Sequence, residues 1–279
     1  MDRDEAAAMK EKCREIRYLT MDAIGRLGVG HVGGSLSVVE ALVVLYYRHL
    51  RIDPKNPKKE GRDRFVLSKG HAGPTLYSIL ADKGYFAKEL LYTLNQPDTT
   101  LPSHADMVRT PGVDMTAGSL GQGLSCAVGI ALGSCIKKDG ARIYALIGDG
   151  ESQEGQIWEA AMYAAHQKLD NLIVFCDYNK LQIDGTIAEI NNLEPLADKW
   201  AAFGWHVINV PDGHDVVQVD DAVTRAKTLT GKPTMIINNT VKGKGVSFAE
   251  AAGTGSHNMP VSKEQWQLAL AELGGTKHA

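Results

Sequence analysis

The sequence predicts an α/β fold, a doubly wound, mostly parallel sheet flanked by helices, and three observations carry that prediction. Apolar runs at Ile143–Ile147 and Leu172–Cys176 flank a helical segment, Gln153–Lys168, with Ile157, Ala160, Ala161, Ala164 and Ala165 at helical spacing. Strand, helix and strand over about 30 residues is the length of a βαβ unit, whose strands run parallel. Similar strand patterns at Arg64–Leu67, Trp205–Val210 and Thr234–Asn238 alternate with helical patterns, as expected for a sheet covered on both faces. Finally, both runs of the βαβ unit close on polar residues, Gly148-Asp149-Gly150 and Asn179, which places these at the carboxyl edge of the sheet, where such sheets bind ligands.

The remaining elements follow in order. Arg3–Leu27 reads as a helix with Ile16, Leu19, Ala23 and Leu27 on one face, and it leads into a Gly-rich turn. A second helix after Ser35 presents Leu36, Val39, Leu42, Val43 and Tyr46, and another begins near Gly73. Met115–Ile136 is uncharged and long enough to suggest a membrane span. Its glycines and serines mark it instead as a Gly-rich loop feeding a buried helix. Helices are expected at Leu193–Phe203 and Asp215–Leu229, with a closing helix at Gln265–Leu273. No repeat, low-complexity tract or long linker divides the chain, so residues 1–279 are read as one domain.

Composition narrows the function classes. With 44% hydrophobic and 23% charged residues and a net charge of −3, the chain looks like an ordinary soluble protein, with no reason to expect nucleic acid or a membrane as partner. The first twelve residues are too charged for a secretory signal. Cys13, Cys126, Cys135 and Cys176 show neither metal-ligand nor redox spacing, so buried thiols in a reducing, cytoplasmic setting are expected.

The chemistry concentrates at the sheet edge. Asp149 and Asn179 offer hard oxygen donors suited to Mg²⁺ or Ca²⁺ holding phosphates, and the flanking glycines let the backbone approach a diphosphate. Taken alone, Gly-Asp-Gly is also an ordinary strand-to-helix turn with Asp149 as cap. Gly28-Val29-Gly30-His31-Val32-Gly33 formally matches the dinucleotide fingerprint, but a helix rather than a strand precedes it, so a loop positioning His31 is the better interpretation. His71, His104 and His257 lie in similar Gly-rich or irregular segments; each alone could be an ordinary surface histidine.

Together these segments resemble the transketolases. The resemblance rests on the GH element at Gly30-His31, Arg62–Ala72 (RDRFVLSKGHA), His104 ahead of Thr110-Pro111-Gly112, Leu120-Gly121-Gln122-Gly123, and the thiamine diphosphate signature Gly148-Asp149-Gly150 with Asn179. It spans about residues 14–260. It implies thiamine diphosphate as cofactor, and a cation held by Asp149, Asn179 and the carbonyl of Leu181. It also implies that His71 and His257 contact the diphosphate, with His257 near the sugar hydroxyls. His31 and His104 would lie near the reacting groups, Gly118-Ser119-Leu120 would cradle the cofactor, and Gly150 would approach the diphosphate. Glu154 resembles an acidic residue linking paired active sites, though a helix first-turn carboxylate is an equal reading. Lys242-Gly243-Lys244-Gly245 either screens phosphate charge or is a solvated loop. Asn209–His214 reads as a connecting turn. Asn258 departs from the family's His-Gly pair after His257, which weakens that assignment.

The resemblance covers only the amino-terminal, diphosphate-binding portion of a transketolase. It therefore implies a second subunit carrying the pyrimidine-binding and carboxyl-terminal domains, an α₂β₂-type assembly, and sugar or sugar phosphate substrates between which a two-carbon ketol unit moves. Other readings are a deoxyxylulose-phosphate-type synthase, a non-catalytic assembly subunit, or a nicotinamide oxidoreductase.

Overall fold

A computed structural model describes residues 1–274 of the chain; the last five residues of the expected domain lie outside the described residues. The strands are β1 (Val29–Gly30), β2 (Arg64–Leu67), β3 (Ile143–Gly148), β4 (Leu172–Tyr178), β5 (His206–Val210), β6 (Thr234–Asn239) and β7 (Met259–Pro260). The α-helices are α1 (Arg3–Leu27), α2 (Val32–Leu36), α3 (Val39–Val44), α4 (Gly73–Lys83), α5 (Gln122–Lys137), α6 (Gly155–His166), α7 (Ile187–Ile190), α8 (Leu196–Ala202), α9 (Val216–Ala226), α10 (Ser247–Ala251) and α11 (Lys263–Glu272).

The central sheet has the order β2-β3-β4-β6-β5, and every pairing in it is parallel. All of β3 is buried, as a strand covered on both faces must be. Alternate residues serve opposite sides. Tyr144, Leu146, Ile173, Phe175 and Ile236 pack with residues of α3, α4 and α9, whereas Ala145, Ile147, Val174, Cys176 and Ile237 pack with α5, α6 and α8. A third cluster joins the ends of the chain, with Met21 and Ile24 of α1 against Ala269 of α11 and Val246 beside α10. The antiparallel pair β1–β7 ties the same ends together, Gly30 opposite Met259.

Most expected elements recur within a few residues, and the departures have local causes. The helix expected after Ser35 is interrupted: α2 starts earlier, at Val32, and ends at Leu36, and α3 then runs into a π-helical turn at Leu45–His49. The Gln153–Lys168 helix is the shorter α6, because Gly150–Gln153 winds as a 3₁₀ turn first. Pro195 delays the start of α8, and Asp215 caps α9 by accepting from the Val217 amide at 2.9 Å. β1 and β7 have only two residues each, too few for a periodic signal. The cysteine expectation needs correction: Cys13 and Cys176 are buried, but Cys135 is exposed and Cys126 half-buried, since both lie on outward positions of α5. Among the described residues no helix is long and apolar enough to cross a membrane.

Candidate active site

The register of the sheet brings the first two candidate ligands together. Gly148 pairs with Asp177, so Asp149 and Asn179 leave adjacent strands at one edge. Asp149 accepts from its neighbour Gly150 N at 2.7 Å and from Lys180 N on the next strand's exit, stitching the two tips together. This is more than the simple helix cap that an isolated Gly-Asp-Gly suggests. The Asn179 side-chain amide donates to Asp177 at 2.9 Å, which fixes which end is oxygen; that oxygen accepts from Leu181 N at 3.1 Å. Asp149, Asn179 and Leu181 line one cavity of about 220 Å³, together with His71, Lys242 and His257. Gly150, Leu120 and Glu154 also border it, whereas Gly118 and Ser119 lie outside its lining. Glu154 occupies the N-cap position of α6 but makes no capping hydrogen bond.

Four histidines from distant segments converge beside this cavity. The ring of His31, at the start of α2, lies 5.4 Å from His71, 5.3 Å from His104 and 5.5 Å from His257, and His71 lies 4.9 Å from His257. The Gly-rich run before α3 has a packing role rather than a dinucleotide role. A Cβ on Gly33 would sit 2.3 Å from Ser256 Oγ and 2.9 Å from the Ser256 carbonyl, so only glycine lets the segment carrying His257 approach the one carrying His31.

Charge at the site is uneven. Lys69, 2% exposed, pairs with the buried Asp177 at 2.6 Å. Lys242, 4% exposed, donates to the Leu181 carbonyl and approaches His257 Nδ1, both at 3.2 Å. Burial, aided by neighbouring His104, Lys69 and Lys242, lowers the His31 pKa to about 4. Burial, then Lys242 and His31, does the same to His257, also to about 4. His71 is held well below its ordinary value by burial and Lys69, and burial lowers His104 too. Burial and Lys69 bring Lys242 down to about 8. In the same cavity, burial and the nearby Asp177 carboxylate push Asp149 up to about 7. All four imidazoles are therefore neutral at pH 7 and can both donate and accept a proton.

A family model described as the thiamine diphosphate binding domain of transketolase matches residues 8–278. The chain belongs to the transketolase family. It is 59% identical to the 6-deoxy-6-sulfo-D-fructose transketolase subunit SqwG of Clostridium sp. (strain MSTE9), over 95% of this chain and 96% of that one. It is 38% identical to an apulose-4-phosphate transketolase subunit of Phocaeicola vulgatus, over 92% of this chain and 90% of the relative. Among solved structures, Campylobacter jejuni transketolase superposes with a TM-score of 0.89 at 33% identity, covering 98% of this chain but 43% of that one. A Pichia stipitis transketolase in complex with sedoheptulose 7-phosphate gives a TM-score of 0.89 at 33% identity, over 95% of this chain and 41% of its own. The chain thus spans about two-fifths of these solved transketolases. It is a subunit of a thiamine-diphosphate-dependent transketolase.

Two residues of this transketolase subunit's site have no role in the motif pattern alone. Lys69 stands inside the RDRFVLSKGHA match, and Asp177 is the one charged residue in an apolar strand, a readable signal of a buried partner. The Lys242–Gly245 loop divides: Lys242 faces the cavity while the half-buried Lys244 lies 3.9 Å from Glu250. The expected turn at Asn209–His214 needs correction: Asn209 and Val210 are still paired in β5, and only residues 211–214 lead on toward α9, where His214 is more than a turn residue. It accepts from Val241 N at 2.8 Å and bonds Glu40 at 2.9 Å, while Arg17 pairs with Glu40 at 2.6 Å and donates to the Lys244 carbonyl at 2.9 Å. This buried network holds the loop bearing Lys242 from behind.

Proposed function

We propose that this chain is the diphosphate-binding half of a two-subunit transketolase that moves a two-carbon ketol unit from a ketose to an aldose. The supporting observation is the convergence of His31, His71, His104 and His257 beside a cavity lined by Asp149, Asn179, Leu181 and Lys242. The charge pattern fits a metal diphosphate. A divalent cation beside Asp149 would favour its ionised form, and a diphosphate beside Lys242 would favour the ammonium form. Among the described residues no cluster of three or more His, Cys, Asp or Glu side chains could hold a metal. The donor set is instead carboxylate, amide oxygen and main-chain carbonyl, which suits hard Mg²⁺, or Ca²⁺.

When bound, thiamine diphosphate supplies the electron sink for breaking and making the carbon–carbon bond. His71 and Lys242 would bind its diphosphate, Gly150 would approach it through the main chain, and Gly118-Ser119-Leu120 would flank it. Neutral His31, His104 and His257 would hold the sugar, each able to take or return a hydroxyl proton. The pyrimidine-binding and carboxyl-terminal domains would come from a second subunit, in a cytoplasmic α₂β₂-type assembly with Glu154 at an interface. The relatives' names support a ketose donor with an anionic end, a phosphate or a sulfonate.

Titration calorimetry of the chain assembled with its second subunit should show thiamine diphosphate binding that requires Mg²⁺, and the assembly should transfer the ketol unit. Magnesium-independent binding, or binding without any transfer to a range of aldoses, would overturn this reading.

A further inference from the structure

Glu151 is 2% exposed and lies directly behind the Gly148-Asp149-Gly150 turn, inside the 3₁₀ segment that follows it. Its carboxylate is shared between three segments. One oxygen accepts from the Ser68 hydroxyl, which immediately precedes Lys69-Gly70-His71, and from Gly121 N at 2.8 Å. The other accepts from Gly148 N at 3.0 Å. These three segments carry, in turn, His71, the Gly118–Leu120 stretch, and Asp149 with Gly150.

The segments are also pressed together where only glycine fits. A Cβ on Gly70 would lie 2.8 Å from the Ala117 carbonyl carbon and 2.9 Å from Gly118 N. One on Gly123 would lie 2.4 Å from Ser68 Oγ and 2.6 Å from Ser68 Cα. The carboxylate, which also borders the cavity, meets the Gly121 and Gly148 amides directly, and these buried donors are satisfied by it.

A carboxylate is the side chain that satisfies this arrangement. It offers two acceptor oxygens and no donor, matching three inward-pointing donors. A glutamine of the same shape turns an NH₂ group toward Gly121 N or Gly148 N, leaving a buried donor unpaired and two donors facing each other.

We infer that Glu151 is a positioning residue that sets the Gly118–Gly121 loop and the His71 turn against the Gly148–Gly150 turn, fixing the shape of the diphosphate cradle. The inference rests on the proposed cofactor reading for its consequence in binding, but the loop geometry it asserts belongs to the cofactor-free chain. It predicts two separate effects of Glu151→Gln. Thiamine diphosphate affinity in the presence of Mg²⁺ should fall about 10–100-fold, as for other residues that orient cofactor ligands. Amide hydrogen exchange without cofactor should accelerate selectively in residues 117–123.

The test uses the chain assembled with its second subunit, in four forms. Wild type and Glu151→Gln give the main comparison. Ser68→Ala removes one hydrogen bond and should weaken binding about three- to tenfold, which keeps the idea testable if Glu151→Gln fails to fold. Val223→Ala in α9 is a reference for general destabilisation; it should lower the melting temperature yet leave affinity within about twofold and loop exchange unchanged. Unchanged exchange in residues 117–123 and unchanged affinity in both Glu151→Gln and Ser68→Ala would overturn the inference. If wild type binds no thiamine diphosphate, the functional reading fails on its own, and the exchange comparison still decides whether Glu151 holds the loop.

Discussion

Replacing Asp149 by asparagine should make the cofactor-free chain more stable while abolishing metal-dependent cofactor binding. The carboxyl is 2% exposed and is pushed from an ordinary value of 3.8 to about 7, first by burial and then by Asp177. A folded value above the unfolded one favours the protonated form, so this group's stabilising contribution exists at low pH and is lost as pH rises through about 7. At pH 8 the carboxylate therefore costs about 4 kcal/mol, from roughly three pKa steps of about 1.4 kcal/mol each. Asparagine escapes this cost but keeps only one acceptor oxygen, so Gly150 N or Lys180 N loses its partner at a cost of about 1–3 kcal/mol. The difference is a net gain of about 1–3 kcal/mol at pH 8, which vanishes or reverses near pH 4.

Mg²⁺ and thiamine diphosphate at one hundred times the dissociation constant should stabilise wild type by about 3 kcal/mol and the variant by nothing. Urea unfolding of the chain at pH 8 and pH 4, with and without both ligands, reads all of these quantities. A variant less stable than wild type at pH 8 without ligand, or one stabilised equally by Mg²⁺ and thiamine diphosphate, refutes the reasoning.

Lys242→Met should weaken thiamine diphosphate binding about 10–100-fold with little change in melting temperature, because a buried charged donor contributes that much to an anion. Calorimetry checks it, and an unchanged affinity would remove Lys242 from the site. His104→Ala should lower turnover in the assembled enzyme while cofactor affinity stays near wild type; unaltered steady-state kinetics would count against its place near the sugar. The folded pKa values of His31 and His257, depressed to about 4 from 6.5, supply stability that is complete above pH 6.5 and lost as pH falls toward 4. The double variant His31→Asn/His257→Asn should lose less stability than wild type between pH 7 and pH 5, and parallel urea midpoints for the two proteins would contradict this.

Those histidines also show what a sequence can and cannot disclose. The βαβ unit is legible because long buried strands and an Ala-rich helix carry strong periodic signals, and parallel register then forces Asp149 beside Asn179. Grouping His31, His71, His104 and His257 comes from motif order rather than from physics, since no periodicity predicts where four irregular loops meet. The break between α2 and α3 is invisible because the apolar spacing continues across it. The same limit hides the Arg17–Glu40–His214 network, whose members lie on a helix, a second helix and a turn far apart in the chain. Asp177 is the instructive miss: a lone acid in an apolar strand announces a buried cation before any fold is known.

At its Gly30–Met259 rung the two-residue ladder between Val29–Gly30 and Met259–Pro260 leads out to His31 on one strand and to His257 on the other, whose rings lie 5.5 Å apart. A ligand gripping both imidazoles would act as a clasp across that seam, linking occupancy to closure of the domain. A nascent polypeptide not yet extended as far as His257 would have no grip to offer. Loading with cofactor would then be a late event of maturation, and a built-in check that both sides of the seam have been made.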